Sequence, residues 1–171
     1  YTTVINCDAY FNYDPKKFGS MADGFGPKQT QGPGNIFIGC RAWENSDDGF
    51  DLFDSPQKVI MKNCWAFRNG IDVYGVGADF AGNGNGLKVG GNGAVGNHEL
   101  YNCVAFGNPS KGFDQNNNAG GVLLYNCTGY NNTAYNFSFG ATLANGEKND
   151  LRNNVSFSGK VSIASSTEKN N

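Results

Sequence analysis

The chain has 171 residues, of which 25 are glycine and 16% are charged, with a net charge of −2. That length fits one domain with a sizeable core, and the charge leaves no electrostatic case for nucleic acid or an anionic membrane surface. No stretch is apolar enough to span a bilayer, and five cysteines without a CxxC pair exclude both a disulfide scaffold and a zinc site.

A phrase recurs along the chain. It opens as Asn6-Cys7-Asp8-Ala9-Tyr10-Phe11-Asn12 and returns as Gly39-Cys40-Arg41-Ala42-Trp43-Glu44-Asn45. Two further copies are Asn63-Cys64-Trp65-Ala66-Phe67-Arg68-Asn69 and Asn102-Cys103-Val104-Ala105-Phe106-Gly107-Asn108. Looser copies follow at Asn126-Cys127-Thr128-Gly129-Tyr130 and Asn153-Asn154-Val155-Ser156-Phe157. Successive cysteines lie 33, 24, 39 and 24 residues apart, a period of one solenoid coil with insertions in two coils.

Between the copies falls a second phrase: Asp23-Gly24-Phe25, Asp48-Gly49-Phe50, Asn85-Gly86-Leu87, Lys111-Gly112-Phe113 and Tyr135-Asn136-Phe137. A short apolar run precedes most cysteines, for example Ile36-Phe37-Ile38 and Val122-Leu123-Leu124. Three β-type runs per turn, without a 3.6-residue stripe, predict an all-β parallel β-helix with coils stacked about 4.8 Å apart. Cysteines and the aromatics three positions on (Tyr10, Trp43, Phe67, Phe106, Tyr130, Phe157) are expected to pack the core. The asparagines five positions on are expected to take the left-handed bend and to bond to one another along the axis. Both ends open mid-pattern, so residues 1–171 read as one domain-length piece of a longer solenoid, with any leader sequence outside it.

From cysteine to the centre of this second phrase (glycine, or Asn136 in the fifth coil) the second, fourth and fifth coils use nine residues, whereas the first uses 17 and the third 22. The extra residues, near Tyr13–Met21 and Ile71–Asn83, are expected to leave one corner as two walls. The coil between them becomes a floor carrying Asp47, Asp48 and Asp51. Asp23 then lies one coil from Asp48, and Lys88 one coil from Asp51, provided the chain bends at the glycine. Crowded carboxylates repel unless a cation sits among them, and an all-oxygen set suits Ca²⁺ better than Zn²⁺. No EF-hand loop and no RTX nonapeptide is present. A solvated acidic corner is the bland alternative. Lys88 beside acids is by itself an ordinary ion pair; on a cleft floor beside a cation it becomes a candidate base, favoured at alkaline pH.

The stretches from Met21 to Phe25, Gly39 to Asp51, Asn63 to Ala66 and Asn85 to Asn92 resemble the pectate lyases of polysaccharide lyase family 9. The resemblance implies a right-handed β-helix in which Asp23, Asp47, Asp48 and Asp51 hold a catalytic Ca²⁺ and Lys88 is the Brønsted base. It implies β-elimination on polygalacturonate by a secreted, periplasmic or cell-surface protein, expected to be a monomer. Lys28 and Lys111 are candidate contacts for sugar carboxylates. Two other functions are weighed: a β-helix polygalacturonate hydrolase working with two acids and no metal, and a non-catalytic polysaccharide-binding solenoid. The glycines from Gly82 to Gly86 lack the Lys-Ser/Thr and the helix of a phosphate loop. His98 reads as a plain loop or strand residue.

Overall fold

The computed structural model describes residues 1–164, 166–169 and 171. Its strands form three sheets in which every pairing is parallel, so the chain coils rather than doubling back. The first sheet contains Thr3–Ile5, Asn35–Ile38, Val59–Lys62, Glu99–Tyr101, Leu123–Tyr125, Asn149–Arg152 and Ser166–Lys169. The second contains Asp8–Tyr10, Arg41–Trp43, Trp65–Phe67, Val104–Phe106, Thr128–Tyr130 and Val155–Phe157. The third contains Phe50–Asp51, Leu87–Lys88, Lys111–Asp114, Tyr135–Phe139 and Val161–Ile163, and Phe25 joins it through a bridge to Phe50. Part of the polar C-terminal stretch thus adds a strand to the first sheet; Ser165 and Asn170 lie outside the described residues.

The register reproduces the columns expected from the repeat. Ala9, Ala42, Ala66, Ala105 and Gly129 are paired in succession, as are Tyr10, Trp43, Phe67, Phe106 and Tyr130. Cys40, Cys64, Cys103 and Cys127 are buried free thiols, while Cys7, in the first coil, is exposed. Inside, the first sheet contributes Phe37, Met61, Leu100, Leu124 and Leu151, and the third contributes Phe50, Leu87, Phe113 and Phe137. The rings of Phe113 and Phe137 stack at 4.8 Å. Burying each such side chain contributes roughly 1.5–3 kcal/mol.

Two sequence-based expectations are corrected. The aromatic column stacks as expected, with ring centroids 4.5 Å apart for Tyr10–Trp43 and 4.7 Å for Phe67–Phe106, but it stands on the outer face of the second sheet. The inward position of that strand is the alanine column, because the neighbouring corner leaves space only for a methyl. The left-handed bends also fall one residue earlier than expected. Phe11, Glu44, Arg68, Gly107 and Asn131 take them, as do Asn6, Gly39, Asn63, Asn102 and Asn126 before each cysteine, all with φ between 49° and 63°.

The asparagine after each bend therefore turns inward and starts an amide ladder. Asn12 Nδ2 donates to Asn45 Oδ1 (2.8 Å), Asn45 Nδ2 to Asn69 Oδ1 (2.9 Å), and Asn108 Nδ2 to Asn132 Oδ1 (2.8 Å). Each of Asn45, Asn69, Asn108 and Asn132 also donates to the carbonyl of an alanine in the preceding coil. Such bonds contribute about 1 kcal/mol apiece when made, and cost more when a buried partner is orphaned.

His98 is fully buried, just ahead of the strand Glu99–Tyr101. Its Nδ1 accepts from Val59 N at 3.2 Å, so the proton of the neutral ring lies on Nε2. Burial depresses its pKa to about 4. A lowered folded-state value means that the unfolded chain binds the proton first as pH falls. Stability present above the usual pKa of 6.5 is therefore lost on descent to about pH 4. Chemical denaturation should show that loss reaching roughly 3 kcal/mol, and His98→Gln should flatten the slope between those pH values.

Candidate functional site

Acids from separate coils meet because of what the glycine column forbids. A Cβ on Gly49 would lie 2.6 Å from Gly86 O, 2.8 Å from Asn69 Nδ2 and 2.9 Å from the Ala66 methyl. Gly24 and Gly86 are wedged in the same way, each against the coil that follows it. None of the three has positive φ, so glycine is needed for close approach rather than for left-handed geometry. Gly49 and Phe50 both face inward, which breaks strand alternation and brings Asp48 and Asp51 to one side. The register completes the group: Phe25 pairs with Phe50, Asp51 with Lys88, and Lys88 with Asp114.

Carboxylate oxygens of Asp23, Asp48 and Asp51 lie within 4.8 Å of one another. Each of these acids, and Asp47 beside them, has its Oδ1 held by a backbone amide. Asp48 N donates to Asp23 (3.2 Å), Asn83 N to Asp47 (2.7 Å), Asn85 N to Asp48 (2.8 Å) and Phe53 N to Asp51 (2.9 Å). The lysines reach the oxygens of Asp23, Asp48 and Asp51, mostly at Oδ2, with Asp51 Oδ1 also 3.5 Å from Lys88 Nζ. Lys28 Nζ lies 2.6 Å from Asp23 Oδ2 and 2.9 Å from Asp51 Oδ2, and Lys88 Nζ lies 3.0 Å from Asp48 Oδ2. The oxygens of Asp23, Asp48 and Asp51, without sulfur or imidazole, are donors of the type a hard divalent ion takes, and Asp47 lines the same cleft without belonging to that oxygen group.

The electrostatics agree. Burial and the neighbouring Asp48 push Asp47 up to about 7. Burial, opposed by Lys88, lifts Asp48 to about 6, and burial with Asp51 raises Asp23. Burial works against the Lys88 ammonium, but Asp48 and Asp51 outweigh it and raise its pKa. With those acids charged, Lys88 is a proton holder rather than a base. Its side chain is 11% exposed, and its ammonium lies 5.6 Å from the centre of the Phe53 ring.

These groups line a cleft of about 230 Å³ with Lys28, Asp47, Asp51, Phe53, Asn83 and Lys88 on its wall. Ser20 and Met21, from the first inserted loop, close one side. The two insertions leave the same corner, as expected, but they do not stand apart as two walls. Ala81 N donates to Phe18 O (3.0 Å), and the rings of Tyr13 and Tyr74 stack at 4.7 Å, so the loops join in one ridge over Ser46.

Of the seven expected site residues, the four acids Asp23, Asp47, Asp48 and Asp51 and the lysine Lys88 lie around this one cleft. Lys28 lies inside the acid group, as the spacing did not foretell, because it comes from a loop outside the repeat. Lys111 pairs with Asp114 (3.0 Å) and lines a separate polar depression with Asn116 and Ser138, one coil beyond Lys88. Phe53 and the backbone of Asn83 were missed, since neither falls in a repeating column. Asn85 does fall in the column of Asp48, and that shared position was the readable signal.

The model of the Pel9A-like, right-handed β-helix region matches residues 1–157. The chain is 66% identical over all 171 residues to pectate lyase L of Dickeya dadantii, of which it covers 40%. A crystal structure of pectate lyase Pel9A superposes with a TM-score of 0.95 at 66% identity, over 98% of this chain and 41% of that one. A rhamnogalacturonan lyase gives a TM-score of 0.73 at 33% identity, over 96% of this chain and 46% of that one. The chain thus spans about 40% of the length of the Dickeya relative it matches.

Gly49→Ala should destabilise the fold by about 3 kcal/mol through overpacking at this corner. Urea denaturation of the two proteins reads that loss.

Proposed function

The chain belongs to the Pel9A-like right-handed β-helix family, and on that premise we propose that it supplies the catalytic site of a calcium-dependent pectate lyase. Residues 1–171 would be one domain-length stretch of the catalytic solenoid. The substrate would be polygalacturonate, cleaved by β-elimination. A polymer of that size cannot cross a membrane, so the protein would act outside the cytoplasm.

The observation carrying this reading is the amide-fixed acid group next to a buried lysine. Asp23, Asp47, Asp48 and Asp51 would hold the ion through the oxygens that their backbone partners leave available. Ca²⁺ bound there would stabilise the negative charge that develops beside the uronate carboxylate. Neutralising Asp48 and Asp51 removes what keeps Lys88 protonated, and burial then favours its neutral amine. Lys88 takes the C5 proton, the electron pair forms the C4–C5 double bond, and the C4–O bond breaks. The departing oxygen takes a proton from water, leaving a 4,5-unsaturated uronide. Lys111, one coil along and paired with Asp114, would meet a neighbouring sugar carboxylate once freed from that acid. Against an inverting hydrolase stands the crowding of Asp23, Asp48 and Asp51, which bring one oxygen each within 4.8 Å of the others, where that mechanism holds its two carboxyl groups ~6.5–9.5 Å apart to admit a water.

Polygalacturonate incubated with the protein should gain the ultraviolet absorbance of unsaturated uronide, and a chelator should abolish the gain. Reducing ends appearing without that absorbance would mean hydrolysis. Lys88→Ala should lower turnover by about 10²–10⁴-fold while calorimetric Ca²⁺ affinity stays near wild type. Asp48→Asn should weaken that affinity more than about tenfold; unchanged affinity would move the ion elsewhere.

A further inference from the structure

Lys28 is the group that the proposed mechanism does not use. It comes from the segment between Gly26 and Gly34, outside the coil repeat, and its ammonium reaches into the acid group. There it takes one oxygen from Asp23 and one from Asp51, two acids on different coils. These are the oxygens that the backbone amides leave available. The Lys28 side chain is 25% exposed, against 5% and 3% for its two partners, so its path away from them leads to solvent.

From this placement we infer that Lys28 is a tethered monovalent counter-ion that competes with the divalent ion for Asp23 and Asp51. The inference rests on the metal site of the preceding subsection and concerns how that site is gated. Four carboxylates and the Lys88 ammonium leave a charge of about −3, which Lys28 lowers to about −2 and a divalent ion in its place to about −1. A divalent ion on the same two oxygens would lie within van der Waals distance of Nζ, and like charges at that range repel. Ion uptake therefore requires Lys28 to swing outward. Without the ion, the same amine holds two coils of the floor together and limits their mutual repulsion. Its release sets an amine at the cleft mouth at the moment when the ion arrives, so metal uptake and the positive charge available to an anionic polymer rise together.

The test compares wild type, Lys28→Met and Lys28→Arg, with CaCl2 titrated calorimetrically without substrate and melting followed in chelator. Lys28→Met should bind Ca²⁺ about tenfold more tightly than wild type. It should melt lower than wild type in chelator and alike in saturating Ca²⁺. Lys28→Arg, which keeps the charge, should stay near wild type in both. Unchanged or weaker Ca²⁺ affinity in Lys28→Met, with wild type binding normally, overturns the competition and leaves the metal site standing. Absence of Ca²⁺ binding in wild type removes the site itself and this inference with it. Should Lys28→Met fail to fold in chelator, Lys28→Gln provides the same comparison, and its unchanged affinity would equally overturn the inference.

Discussion

Everything in this molecule depends on how closely one coil can approach the next at a single inner corner. There a glycine, an alanine methyl and an asparagine amide from successive coils fill the same small space. Hydrophobic burial elsewhere in the cross-section is forgiving, since Phe50 and Leu87 share a column without harm. The corner is not forgiving, because a Cβ at Gly24, Gly49 or Gly86 would meet a carbonyl oxygen at 2.6 Å. That fit sets the axial spacing and locks the register. Register in turn decides which side chains face each other across coils.

The acid group is a direct result of that register. Four carboxylates in a partly buried patch oppose one another, and burial first, with that opposition added to it, raises Asp23, Asp47 and Asp48. The fold contains it with four backbone amides and two lysines. The amides come from the next residues in the coil or from the coil above, so the solenoid that creates the conflict also orients it. A site built this way is set before any ligand arrives, which is what preorganised electrostatics requires.

Much of this was legible in the sequence, because a solenoid writes its cross-section linearly. Aligning five cysteines and the five phrases that follow them, four with glycine at the centre, was enough to put Asp23 beside Asp48 and Lys88 beside Asp51. What could not be read depends on direction rather than position. Tyr10, Trp43 and Phe67 look like core residues, yet the alanine beside each takes the inward place. Glu44 and Arg68, rather than the asparagines after them, adopt the left-handed bend, and nothing in a glutamate or an arginine announces it. Lys28 and Phe53 enter from segments without a period, so no column predicts where their side chains reach. The meeting of Phe18 with Ala81 is a contact between two such segments and is invisible for the same reason.

The corner after the asparagine ladder has a further property. One turn of the chain passes from Asn45 to Gly49 with three residues between, while the turns on either side spend 11 and 16 residues on the same journey from Asn12 to Gly24 and from Asn69 to Gly86. All three rejoin the third sheet in step, as the pairing of Phe25, Phe50 and Leu87 records. Length added there is pushed outward and leaves no trace in the stack. Lengthening or trimming these excursions would therefore reshape the rim of the cleft while the acid-bearing floor keeps its register.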